Sequence, residues 1–213
     1  LLETNVQSLF ETRDGACRIK RLPGLIGQYL SSFGECDECS CSLTRRRTAE
    51  PRKLFRHTIV ERELRRVAFH DGASPPIVRA VSIGCGGLLT DFECLLELWW
   101  RGCTVETFIA IDPCYSEHSA GHTSYMESLA ALARFFAPHC RVFSFSSCDD
   151  YLAAARCQPD RYGRATLFLR CDARSVEEAQ YKDVAATALQ PGCCSYELWN
   201  GGNEVRAQPP LEK

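Results

Sequence analysis

VSIGCGGLLTDFECLLELWWRGCTVETFIAIDPCY, residues Val81–Tyr115, is the stretch whose reading decides the fold. It opens inside an apolar run that begins at Ile77 (IVRAVSI), and the length and β-branched content of that run suit a buried strand. Gly84, Cys85, Gly86 and Gly87 follow as a turn, where glycine supplies positive φ and lets another group come close to the backbone. Thr90-Asp91-Phe92-Glu93 has the capping-box pattern, which predicts Thr90 as N-cap with Glu93 reaching back to it. A helix over 90–101 and a second strand (TFIAI) come next, and that strand ends on Asp112, 26 residues after Gly86.

The same alternation continues outward. Strands are expected at 77–83, 105–111, 141–146, 165–171 and 193–199, with helices at 90–101, 119–137, 149–157 and 175–189. Strands alternating with helices imply right-handed βαβ units and a parallel sheet covered on both faces. Upstream, Leu54, Phe55, Ile59, Val60, Leu64, Val67 and Phe69 approximate one helical face over 52–69, and His70-Asp71-Gly72 with Pro75-Pro76 ends it. Residues 1–33 read as two weak helical pieces, and 34–51 as a polar, Cys-rich and basic loop. The expected organisation is an N-terminal extension over 1–51, a main domain over 52–202 and a tail over 203–213.

Composition sets outer limits. The chain has 213 residues, 45% of them hydrophobic, and a formal net charge of -2, enough for one domain with a proper core. No apolar run is long enough to span a bilayer, so the expectation is a chain with no transmembrane segment. Leu1 in place of methionine points to a processed or partial N-terminus, so a removed targeting segment stays open. Fourteen cysteines is a large number, but Cys94, Cys103, Cys140 and Cys171 sit in apolar patterns where cysteine behaves as a small hydrophobe. That favours an intracellular, reducing compartment, cytoplasmic or organellar, over a disulfide scaffold. Residues 1–70 carry 13 Lys/Arg against 9 Asp/Glu, with Arg45, Arg46, Arg47, Arg52, Lys53 and Arg56 close together. Such a segment can meet RNA, an acidic protein or an anionic membrane surface, or be simply a solvated loop and helix face, and no aromatic interleaving supports base stacking.

The residues around the first turn carry the chemistry. Free N–H groups at the start of the 90–101 helix can receive an anion. A carboxylate at Asp112 can accept both hydroxyls of a ribose; alternatively it caps the turn at Pro113. The third strand, RVFSFSS, leads to Cys148-Asp149-Asp150, where an acid can meet the exocyclic amine of adenine or simply open a helix.

With IGCGG after the first strand, an acid ending the second, an acid after the third, LRCDA at the fourth and Leu189-Gln190-Pro191-Gly192 before the fifth, residues 52–202 resemble a class I S-adenosylmethionine (SAM)-dependent methyltransferase. The resemblance implies a Rossmann-like α/β fold with strand order 3-2-1-4-5 and an N-terminal helical extension. It places Gly84, Cys85, Gly86, Gly87 and Asp112 on SAM, Asp149 or Asp150 at the adenine, and Cys171-Asp172 beside the transferred methyl, with Asp172 as the candidate base. An NAD-binding domain would instead favour a third glycine opening the helix.

This chain also departs from that pattern. Ser82 stands where the family has an acid, and Leu88 where a third glycine would leave room for the methionine arm. The antiparallel strand pair that usually ends the fold is expected to be missing, since only GGNEVRAQPPLEK remains. No [N/D]-P-P-[Y/F] motif follows the fourth strand, and the Pro113-Cys114 pair lies after the second. Two functions are therefore carried forward: methyl transfer to an unidentified acceptor, and a non-catalytic subunit of a larger assembly joined through the N-terminal extension. A nucleotide-dependent oxidoreductase is a third reading.

Other clusters are weaker. Cys36-x2-Cys39-x-Cys41 offers three thiolates for zinc, with His57 or His70 as a fourth ligand, but no second C-x2-C pair completes the site, and a Cys-rich loop is simpler. His118 and His122, four apart near a helix start, are read as polar residues at the cleft rim. Cys193-Cys194 reads as packing, and of Trp99-Trp100 one is expected in the core.

Overall fold

The computed structural model describes residue 33 and residues 49–68, 76–171, 178–199 and 204–208. All belong to the unit Phe33–Lys213. Its elements are α1 (Ala49–Ala68), β1 (Ile77–Ile83), α2 (Leu89–Trp100), β2 (Thr104–Ile111), a 3-10 turn (Pro113–Tyr115), α3 (His122–Phe135), β3 (Arg141–Phe145) and α4 (Cys148–Cys157). The short α5 (Pro159–Tyr162), β4 (Ala165–Cys171), α6 (Glu178–Ala188), β5 (Leu189–Trp199) and β6 (Glu204–Gln208) complete it. The sheet order is β3-β2-β1-β4-β5-β6. The first five strands are parallel in the expected 3-2-1-4-5 order, which makes the fold a Rossmann-like α/β sheet.

One expectation about the end of the chain is corrected. Glu204–Gln208 is not a bare tail but a strand, antiparallel to β5 with Trp199 opposite Glu204 and Ser195 opposite Gln208. Antiparallel pairing needs only a short reversal, and the Gly201-Gly202 pair between the two strands supplies residues suited to one.

The central strand β1 is buried from Ala80 to Ile83, as a strand covered on both faces must be. On one face Val81, Ile83, Ile109, Ile111 and Phe168 pack against Tyr151, Leu152 and Ala155 of α4 and Tyr181, Val184 and Ala188 of α6. Beside α2 lies an aromatic cluster centred on Phe92, which stacks on Phe33 at 4.2 Å between ring centroids and meets Phe135 edge-on at 5.0 Å. Full burial of a phenylalanine contributes about 2–3 kcal/mol, and the ring contacts of this cluster join α2 to α3. Trp99 joins it through Phe135 but is only half-buried, and Trp100 is exposed, so neither is fully in the core where one of the pair is expected.

On α1 the buried stripe is Phe55, Ile59, Val60 and Glu63. Leu54, expected on the inner face, is exposed, because a step of one residue rotates it about 100° away from Phe55. Phe69 and the side chain of Val67 lie outside the described residues. Glu63 is tolerated in the stripe because it is fully partnered. Tyr196 of β5 donates to its Oε1 at 2.9 Å, and Arg66 donates to its Oε2 through Nε at 2.9 Å and Nη2 at 2.8 Å. This network ties the first helix to the fifth strand.

The nine cysteines with described side chains are all free thiols, with Cys94 and Cys103 buried and Cys140 half-buried. No helix among the described residues is long and apolar enough to cross a membrane.

Candidate functional site

The carboxyl ends of β1, β2 and β3 meet where an open α/β sheet receives its ligands. Gly84 (φ 69°) and Gly86 (φ 48°) turn the chain out of β1, a conformation that glycine adopts without steric cost. The Gly84 N–H still bonds the Ile111 carbonyl of β2 at 3.0 Å, and the Asp112 N–H bonds the Phe145 carbonyl of β3 at 3.1 Å. The three strand ends are thus locked edge to edge.

Asp112 has two structural partners. Its Oδ2 accepts the Gly86 N–H at 2.9 Å, and its Oδ1 accepts the Cys114 N–H, also at 2.9 Å. It therefore caps the 3-10 turn at Pro113 and clasps the glycine turn at once. Tyr115 completes the clasp from the other side by donating its hydroxyl to the Gly86 carbonyl at 2.9 Å. Burial pushes the Tyr115 hydroxyl far above its ordinary pKa, so the proton it donates stays in place. The Cys85 thiol is likewise pushed well up, first by burial and then by the charges of Asp91 and Asp112, and it stays protonated.

The helix that follows does not start as the capping-box pattern predicts. Its N-cap is Leu88, in the left-handed conformation at φ 67° and without a side-chain cap, while Thr90 and Asp91 lie inside the helix and are buried. Glu93 turns away to pair with Arg56 of α1. Leu88 is the one non-glycine residue at positive φ among the described residues, at the position where the resemblance calls for glycine. A leucine there costs on the order of 1–2 kcal/mol of backbone strain, which its complete burial offsets.

After β3, Ser147 is the N-cap of α4. It accepts the Asp150 N–H at 3.1 Å, while the hydroxyls of Ser147 and Ser146 donate to Asp150 Oδ2 at 2.7 and 3.1 Å. Asp149 accepts from Gln180 of α6 at 3.2 Å. Both acids thus serve the helix start, and both stay exposed. Between the two loops runs an open groove of about 370 Å³, with residues 115–118 on one side and 144–146 with Asp150 on the other. His118 lines it from a turn that precedes α3, as expected of a rim residue, whereas His122 is the first residue of α3 and is not among the lining residues.

Asp172, His70, Cys36, Cys39 and Cys41 lie outside the described residues, as does the side chain of Cys171. His57 is exposed on α1. The structure adds groups that the motifs did not signal. Tyr115 is one; its only cue is an aromatic residue three after Asp112. Arg170 is another. It lies beside Glu197 in the β4–β5 register, both are buried, and its guanidinium sits 4.5 Å over the Tyr181 ring. A cation one residue before the end of β4 fixes charge close to the strand end from which Asp172 follows.

These residues fit one half of the cofactor that the resemblance implies. Each carboxylate oxygen of Asp112 takes one described N–H and has a second lone pair for a ribose hydroxyl; the polar groove is lined by its chain neighbours from Tyr115 to His118 and by Phe145, whose carbonyl the Asp112 N–H bonds, but not by Asp112 itself. The methionine half fits less well. Leu88, Leu89, Thr90 and Asp91 at the start of α2 are all buried, and Asp91 puts a carboxylate where an anion would be received. The described residues define a Rossmann-like α/β protein with an open polar groove between the loops that follow β2 and β3. No protein-family model matches this chain, and no curated protein matches it significantly.

Proposed function

We propose that this chain is a SAM-dependent methyltransferase-like protein that recognises the adenosine portion of its ligand at the carboxyl ends of β1–β3. The observation that carries the reading is the clasp of Asp112 on Gly86 in a 3-2-1-4-5 sheet, which fixes a half-buried carboxylate at the end of β2, one hydrogen bond away from Phe145 of the groove lining. SAM, when bound, supplies an electrophilic methyl carbon. The contribution of this chain is to orient the ribose through Asp112 and to border the groove with Asp150, Ser144 and Ser146. The methyl acceptor is unidentified.

A second reading is favoured by Leu88. Left-handed and fully buried at the glycine position, it narrows the path of the methionine arm and supports a methyltransferase fold retained as a non-catalytic subunit.

Thermal unfolding of the full chain with saturating SAM, S-adenosylhomocysteine or adenosine separates the two. Ligand at a hundredfold excess over Kd adds about 2.7 kcal/mol. Stabilisation by SAM supports the first reading, stabilisation by adenosine alone supports the second, and no shift with any of the three counts against the adenosine site itself.

A further inference from the structure

The opposite ends of the same strands carry a feature that the nucleoside groove does not use. Arg79 of β1, Arg141 at the start of β3, Arg161 of α5 and Arg164 just before β4 line one crevice at the amino edge of the sheet. The carboxylates in contact with them are Glu106 and Asp160. Arg79 Nε bonds Glu106 at 2.7 Å, Arg141 Nη2 reaches the same carboxylate at 3.3 Å, and Arg164 Nη2 meets Asp160 at 2.5 Å. Four guanidiniums against two carboxylates leave two positive charges in excess. Each guanidinium has five N–H donors and commits few of them to these partners, so most remain for a ligand. Arg141 and Arg164 are well exposed, at 56% and 61% of their side-chain surface.

Geometry selects the kind of ligand. The crevice interior holds only about 10 Å³, so nothing larger than a water enters and a ligand must lie across the rim. Arg141, Arg79 and Arg164 belong to the ends of β3, β1 and β4, and three strand spacings separate the outer two, about 14 Å in all. Such a row is too long for one phosphate and suits successive phosphates of a chain. All four cations are arginines, whose planar forks match phosphate oxygens in pairs. Arg161 also sits over the Phe143 ring at 4.7 Å and the Tyr162 ring at 5.2 Å from their centroids, which puts a guanidinium and two aromatic rings together where an unpaired base can stack.

We propose that this amino-edge arginine row is a binding surface for the phosphodiester backbone of single-stranded nucleic acid. It is independent of the adenosine reading, since it lies at the other end of the strands.

The test is fluorescence anisotropy of labelled oligouridylate and oligothymidylate with the full chain, over a series of salt concentrations. Wild type binds, and the Arg141→Ala/Arg164→Ala double variant binds about tenfold more weakly, with its salt slope smaller by about 1.4, two contacts at about 0.7 each. Asp160→Asn removes an opposing charge from an exposed position and tightens binding, which a merely misfolded variant would not do. A preference for the ribo- or deoxy-oligomer names the source of the backbone. Failure of wild type to bind either oligomer overturns the proposal, and so does binding whose strength and salt slope the double variant leaves unchanged. Displacement of the oligomers by polyglutamate at equal charge concentration would overturn it in favour of an acidic protein partner.

Discussion

Asp112 and Gly86, 26 residues apart, are joined by a 2.9 Å hydrogen bond from the glycine N–H to the carboxylate Oδ2, and the Gly86 carbonyl is held from the same loop by Tyr115. The turn after β1 and the turn after β2 are therefore one unit. A ligand that engages Asp112 is read by a carboxylate whose position the glycine turn fixes, and any change to the clasp moves both loops.

Tyr115→Phe tests the clasp without emptying the site. It removes the hydroxyl from the buried Gly86 carbonyl and keeps the ring against Tyr125, whose centroid is 6.2 Å away. The expected loss is about 1 kcal/mol in urea unfolding, with the m-value unchanged. A loss several times larger would mean that the ring, not the hydrogen bond, holds the turn.

The Glu63 network should cost more to break. Glu63→Ala leaves Arg66 and the Tyr196 hydroxyl without their partner between α1 and β5, and about 3 kcal/mol of stability is expected to go. Glu63→Gln keeps a hydrogen-bonding side chain of the same length and should lose less. Equal losses in the two variants would contradict this account, because the charge would then be all that mattered.

Ser82 points the other way. It is completely buried in the central strand, and its Oγ has no hydrogen-bond partner among the described residues. Ser82→Ala is expected to be neutral or to stabilise by up to about 1 kcal/mol. A clear destabilisation would show that the hydroxyl has a partner after all.

Alkaline pH should weaken the fold. Burial pushes the Cys140 thiol up to about 12 and the Cys148 thiol up to about 11, against an ordinary 9.0. Between pH 9 and those values the folded chain keeps protons that the unfolded chain has released. Stability is thus fully present below pH 9 and falls as pH rises through the folded values. The buried Tyr151 and Tyr196 hydroxyls shift in the same direction. The Tm should decline steadily above pH 9, and a Tm that holds level to pH 11 would contradict the burial of these groups.

Much of the fold was legible because buried parallel strands announce themselves as short apolar runs; the limits expected for the first and fourth strands match Ile77–Ile83 and Ala165–Cys171. The start of α2 was not legible. A capping box is a local pattern, and here Leu88 in a left-handed conformation begins the helix ahead of Thr90, because burying its side chain outweighs the local preference. The strand Glu204–Gln208 has the right alternation, but five residues beside a glycine pair read equally well as a tail. β5 starts four residues earlier than expected, since its first part, around Pro191 and Gly192, pairs irregularly with β4. Tyr115, the Glu63 network and the Arg170–Glu197 pair escaped for a shared reason. Each depends on which residues from distant segments meet, and periodicity within one segment does not carry that.

The most direct measurement is isothermal titration of SAM, S-adenosylhomocysteine and adenosine into the full wild-type chain and into Asp112→Asn. Asparagine keeps an acceptor for one of the two backbone N–H groups, loses the other and loses the charge offered to the ribose. The expected result is binding of all three to wild type, weakened about tenfold or more in the variant, which also loses about 1–2 kcal/mol of stability with the missing acceptor. Wild-type binding that the variant leaves unchanged, or no binding of any of the three, would contradict the assignment of Asp112 to an adenosine site.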